Sequence, residues 1–161
     1  MKTKKSPEAS LDEVPRGAGT PSSRRRSAER GSAFLSGKRM LIVDDSPAVR
    51  SFAKVGLMAH KIELIEAESG DRALRILRVL PIDVVLADVN MPGTDGLSLV
   101  RQLRASDQES LRRLPVILMS SDGAERLRNL AQESGAQAFL RKPFASDEIV
   151  SVVTDLLGRR A

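Results

Sequence analysis

The chain contains no cysteine, no tryptophan and no tyrosine, and only four phenylalanines and one histidine among its 161 residues. Without cysteine there can be no disulfide, no thiolate metal ligand and no sulfur nucleophile, although the compartment is not thereby fixed. The shortage of large aromatics leaves Leu, Ile, Val and Ala to build the core, and a hydrophobic fraction of 41% suffices for one. No apolar run approaches the roughly 20 residues that a membrane-spanning helix needs. The basic opening Met1-Lys2-Thr3-Lys4-Lys5 lacks the apolar stretch that follows it in a secretory signal. Neither secretion nor a membrane span is expected, and the protein is assigned to the cytoplasm. Its length fits one ordinary domain of about 100–150 residues.

The net charge of +5 is unevenly spread. Residues 1–39 hold ten Lys/Arg against four Asp/Glu, a net +6, whereas residues 40–161 hold sixteen against seventeen, a net −1. Residues 1–37 are rich in Ser, Pro, Gly, Arg and Lys and show no sustained period. Such a segment cannot bury enough apolar surface to offset its ordering entropy, so it reads as a disordered basic tail. Gly17-Ala18-Gly19 follows no strand and opens no helix, which argues against a nucleotide-binding loop. Arg24-Arg25-Arg26 offers a weak, sequence-independent attraction for nucleic acid or another anionic surface, beside the plainer reading of a solvated tail. A start at Met40, directly ahead of the first apolar run, would leave 122 residues.

From Met40 onward short apolar runs alternate with helical patterns. Met40–Val43, Val84–Ala87 and Val116–Met119 are continuously apolar, as strands covered on both faces of a parallel sheet must be. Ile62–Ala67 and Ala138–Leu140 are weaker runs and suit strands nearer the edges. Helices are expected over 47–58, 70–79, 95–105, 123–133 and 146–158, the first opened by Ser46 as cap and Pro47 as first helical residue. Five β–α units in strict alternation imply an α/β doubly wound sheet of five parallel strands with five helices.

In such a sheet ligands bind outside the carboxyl ends of the strands. The first strand delivers Asp44-Asp45-Ser46 there, the third Asp88 and Asn90, the fourth Ser120-Ser121, and the fifth Lys142-Pro143-Phe144. Each alone has a plainer reading: a cap with its dipole partner, a turn residue, another cap, a loop dipeptide. Their order on successive strands makes them a site. Three crowded carboxylates repel and must protonate or share a cation. All-oxygen ligands favour a hard ion such as Mg²⁺, and such a site suits phosphoryl transfer to a carboxylate. Lys142 would offset charge on the transferring group, and Ser120 would donate a hydrogen bond to it.

Leu41-Ile42-Val43-Asp44-Asp45-Ser46 resembles the opening of bacterial two-component response-regulator receiver domains, of the chemotaxis-type single-domain kind. The stretch from Val84 through Asp88-Val89-Asn90-Met91-Pro92-Gly93 to Gly96 is similar to that family's phosphoacceptor strand and loop. Pro115–Ser121 is similar to its switch strand, and Lys142-Pro143-Phe144 to its lysine motif. The likeness covers about residues 38–158, within a domain expected at 38–161. It implies the flavodoxin-like strand order 2-1-3-4-5. It also implies Asp88 as phosphoacceptor, and Mg²⁺ held by Asp44, Asp45, Asp88 and the Asn90 carbonyl. Ser120 and Lys142 would then bind phosphoryl oxygens, and Phe139 would be the aromatic whose burial reports the phosphorylated state. Ser120 stands where Thr is frequent, Phe139 where Tyr is, and Ser121 where Ala or Gly is. Asn90 and Asp122 occupy positions that tune dephosphorylation, and a short-lived phosphoryl group is expected.

His60 falls away from the carboxylate rim and reads as an ordinary helix-end residue. A haloacid-dehalogenase-like phosphatase would want a second Asp two residues after its nucleophile, where Asn90 and Ser46 stand here. No helix-turn-helix follows the last helix, so nucleic-acid binding would rest weakly on the tail. The expected function is phosphorelay signalling by a stand-alone receiver without an output domain. A histidine kinase or His-containing phosphotransfer protein would donate to Asp88, and a protein target would dock on the face of the fourth helix, fifth strand and fifth helix. Catalysis would be limited to the protein's own phosphorylation and dephosphorylation. The alternative is a phosphorylation-independent adaptor that binds protein or nucleic acid.

Overall fold

The structure is a computed structural model, and it describes residues 34–159. The tail expected over residues 1–37 lies outside the described residues as far as residue 33. At its border, Leu35 is fully buried in the same apolar cluster as Met40, Ile42 and Leu57, with Phe34 packed against that cluster. An isolated Phe-Leu pair is too short to register as a period, so composition alone places it with the tail.

Five parallel strands, β1 (Arg39–Val43), β2 (Glu63–Ala67), β3 (Val84–Asp88), β4 (Val116–Ser120) and β5 (Ala138–Arg141), lie in the order β2-β1-β3-β4-β5. The five expected helices are α1 (Pro47–Leu57), α2 (Gly70–Val79), α3 (Gly96–Arg104), α4 (Glu125–Glu133) and α5 (Ser146–Gly158). A 3₁₀ turn, Met58–His60, prolongs α1. One helical turn, Glu109–Arg112, was not expected; it is held from outside by Arg104. The Arg104 guanidinium donates to the carbonyls of Leu111, Leu114 and Gly135 at 3.3, 2.9 and 3.0 Å. No local period in the sequence encodes such a clamp.

Alternation along the strands sorts the core into two layers. Met40, Ile42, Val84, Leu86, Ile117 and Met119 face Ala53 and Leu57 of α1 and Ile149 and Val153 of α5. Leu41, Val43, Val85, Ala87 and Leu118 face Ala73 and Leu77 of α2, Leu99 and Leu103 of α3, and Ala131 of α4. Both faces of β3 and β4 are fully covered, which explains their unbroken apolar runs.

The register then sets the site. Val43 pairs with Ala87, so the next residues, Asp44 and Asp88, emerge side by side. Asp88 pairs with Met119, and Ser120 with Arg141, so Ser120 and Lys142 complete the same rim. The α3 helix starts against that rim: a Cβ on Gly96 would stand 2.3 Å from the Asp88 carbonyl oxygen, so only glycine permits the approach. Asp95 caps α3 by accepting from the Ser98 N–H at 2.7 Å.

Candidate functional site

Every residue proposed for the site reaches the carboxyl rim except Phe139, which sits one layer below. Asp44 is fully buried and Asp88 is 4% exposed, whereas Asp45 is open to solvent. The Lys142 ammonium, on a side chain only 15% exposed, bonds Asp44 Oδ2 at 3.0 Å and lies 3.2 Å from Asp88 Oδ1. The second contact is an ion pair outside strict hydrogen-bond geometry, and Asp88 Oδ1 has no other hydrogen-bond partner among the described residues. The Lys142 ammonium offsets part of the cost of burying that oxygen, and a further cation would offset more of it.

Burial raises the Asp88 carboxyl above the ordinary range. The Lys142 charge opposes that rise, the nearby Asp44 adds to it, and the Asn90 main-chain N–H opposes it again. Burial works against the Lys142 ammonium too, but the bond to Asp44 and the charges of both carboxylates outweigh it and hold the group above the usual lysine range.

Ligand oxygens from Asp44, Asp45 and Asp88 lie within 4.8 Å of one another. With one buried oxygen of Asp88 met only by an ion pair among the described residues, and no nitrogen or sulfur donor in the set, the cluster fits a hard divalent cation such as Mg²⁺. Ser120 is fully buried, and its Oγ accepts from Asn90 Nδ2 at 3.2 Å and from the Asp122 N–H at 3.1 Å. A hydroxyl has two lone pairs and one hydrogen. Both acceptor positions of Ser120 are thus engaged and its one hydrogen is left to donate. Asp122 is exposed, and its carboxylate accepts from the Ala124 N–H at 2.9 Å.

Phe139 is half-buried, with the Arg128 guanidinium 6.0 Å from its ring centroid. Ser121 is exposed and borders a groove of about 500 Å³ lined by Val49, Phe52, Lys142 and Phe144. His60 closes the 3₁₀ turn that leads into β2, far from the rim, as expected from its place in the sequence.

Two supports escaped sequence reasoning. Arg50 donates through Nη1 to the Asp44 carbonyl at 2.7 Å and through Nε to Glu66 at 2.9 Å. Thr94 donates to Asp71 at 2.7 Å and so ties the loop after Asp88 to the start of α2. Thr94 also sits so close to Gly70 that a Cβ there would lie 2.3 Å from the Thr94 carbonyl oxygen. The only advance signal for Arg50 was its position four residues after the Ser46 cap, on the turn of α1 that faces the rim.

Comparison with known proteins agrees with this geometry. The response regulator receiver domain family matches residues 40–154. The transcriptional regulatory protein ResD of Bacillus subtilis is 33% identical over 121 residues, 75% of this chain and 48% of that protein. The transcriptional regulatory protein PrrA of Mycobacterium tuberculosis is 37% identical over 122 residues, 76% of this chain and 51% of that one. The chain thus spans about half the length of these two relatives. Among solved structures, the receiver domain of the sensor histidine kinase PA1611 of Pseudomonas aeruginosa superposes with a TM-score of 0.70 at 27% identity, covering 76% of this chain and 99% of that one. That structure holds a magnesium ion in its active-site cleft. With its strand order, its acidic rim and a match across most of its length, the chain belongs to the response regulator receiver domains of two-component phosphorelay signalling.

Proposed function

We propose that Asp88 accepts a phosphoryl group from a phosphohistidine of a kinase or phosphotransfer protein in the cytoplasm. One Asp88 carboxylate oxygen attacks phosphorus, the bond from phosphorus to the imidazole nitrogen breaks, and the nitrogen keeps the electron pair. The buried Asp88 oxygen without a hydrogen-bond partner, at ion-pair distance from Lys142, is the observation that carries this reading.

The surrounding side chains have distinct tasks. Lys142 balances charge on the incoming phosphoryl oxygens, and Ser120 offers its one remaining hydrogen to another of them. Asp44 holds Lys142 on the rim, and the capped start of α3 closes the floor behind Asp88. Asp44, Asp45, Asp88 and the Asn90 carbonyl are the groups that would hold Mg²⁺, which when bound supplies positive charge to the phosphoryl oxygens. Asn90 and Asp122 both bond Ser120, and polar side chains so close to the rim would orient attacking water and shorten the life of the acyl phosphate. Hydrolysis breaks the bond between phosphorus and the Asp88 oxygen and releases inorganic phosphate.

The output is a shift between two arrangements of α4, β5 and α5 that a protein target distinguishes. Ser120 ends β4, and drawing its hydroxyl toward a phosphoryl group would vacate space toward half-buried Phe139 on the neighbouring strand. The test is phosphorylation of purified protein by acetyl phosphate, followed by mass spectrometry with and without Mg²⁺. A single phosphate that needs Mg²⁺ and is absent from Asp88→Ala is the expected result. An unmodified wild type would point to the phosphorylation-independent adaptor.

A further inference from the structure

Asp44 has each of its polar groups fastened. Its N–H donates to the Ala67 carbonyl at 3.1 Å, and its Oδ1 accepts from the Ser46 N–H at 2.8 Å. Its Oδ2 accepts from Lys142 at 3.0 Å, and its carbonyl accepts from Arg50 at 2.7 Å. The last of these bonds comes from a braced group. Arg50, its side chain 16% exposed, also donates to Glu66 Oε2 at 2.9 Å, while Lys54 holds the other oxygen of Glu66 at 2.6 Å. Glu66 precedes Ala67, the residue that receives the Asp44 N–H. One guanidinium thus joins α1, β2 and the turn at which Asp44 hands the chain to solvent-facing Asp45.

We propose that Arg50 is a positioning residue that fixes the Asp44–Asp45 turn for divalent-cation binding through the Asp44 main-chain carbonyl. The inference rests on reading Asp44, Asp45 and Asp88 as a cation site. Its sign separates it from plain electrostatics. Arg50 is a positive charge beside a cation site, and if charge alone mattered its removal would tighten cation binding. If Arg50 instead orders the turn, removal loosens binding despite the lost repulsion, because groups that orient metal ligands commonly govern about 10–100-fold in affinity. Lys54 provides the internal control. It shares Glu66 with Arg50 and carries the same charge but makes no bond to Asp44.

The experiment is calorimetric titration of the full chain with MgCl₂ in the absence of any phosphodonor. Wild type, Arg50→Met and Lys54→Met would be compared, with amide chemical shifts of Asp45 and Ser46 recorded in metal-free protein. Arg50→Met should bind Mg²⁺ about 10-fold more weakly and move both amide signals, while Lys54→Met binds as wild type does. If Arg50→Met does not fold, Arg50→Lys carries the test: it keeps the charge but loses the forked donor, and should also bind more weakly. Equal or tighter binding by the Arg50 variant overturns the inference, as does equal weakening by Lys54→Met. A wild type that binds no Mg²⁺ overturns the cation-site reading itself, whereas a binding wild type with an indifferent Arg50 variant overturns only this step.

Discussion

The two ends of the sheet carry the same kinds of charged group in opposite circumstances. Where the strands begin, Lys38 lies 3.6 Å from Asp83 and Arg39 lies 2.8 Å from Glu63, one cation for each carboxylate and each side chain more than a third exposed. Where the strands finish, buried Asp44 and Asp88 share the ammonium of Lys142, and exposed Asp45 adds a third carboxylate to the same cluster. The first end is neutral and satisfied, so its ion pairs contribute about 0–1 kcal/mol and fade with salt. The second end is left short of positive charge in a place where water cannot supply it. A fold that needed only stability would have treated both ends alike; the imbalance at one of them marks where a cation and a phosphoryl group belong.

The comparison is tested most severely by Lys142→Met. Losing the ammonium paired with two buried carboxylates should cost about 3 kcal/mol in metal-free protein, read from urea unfolding, with Mg²⁺ restoring part of the loss. An unchanged midpoint would mean that the acidic rim is better solvated than its burial indicates.

Asp88→Asn should act in the opposite direction and less strongly. The folded state raises the Asp88 pKa, chiefly through burial, so protonated Asp88 suits the fold and the ionised form does not. That contribution is present at low pH and is lost as pH rises through the raised folded value. Asn cannot ionise, so in the absence of Mg²⁺ the variant should melt higher than wild type at pH 7, by roughly 4 °C for each kcal/mol recovered. The gap should close below pH 4. A gap that persists there would assign the gain to packing rather than charge.

Glu63→Gln at the other end should change stability least, by less than about 0.5 kcal/mol, and even that small effect should vanish in molar salt. Should it rival Lys142→Met, the two ends would not differ as their geometry says.

Much of this was readable in the chain because the central strands must be apolar on both faces. Met40–Val43, Val84–Ala87 and Val116–Met119 announced themselves, and with them the rim on which Asp44, Asp88 and Ser120 would emerge. The division of labour within the acidic pair was not readable. Asp44 and Asp45 are adjacent and chemically alike, yet one is locked by four partners and the other faces water, a difference decided by β2, by α1 with its cap and by the lysine after β5. Arg50 and Glu66 are sixteen residues apart and Arg104 and Gly135 thirty-one, so no periodicity could couple them. Leu35 was lost to the tail because a single buried side chain leaves no pattern.

The placement of the chain ends has a practical consequence. Leu35 packs beside the start of β1, and Leu157, near the end of α5, lines a surface hollow with Lys38 and Asp83. Both ends of the described chain therefore leave from the rim opposite the carboxylates, a strand's length or about 17 Å away. A fluorophore attached at exposed Ser36 or Arg159 would therefore sit on the rim away from Asp88 and leave the doorway to it open.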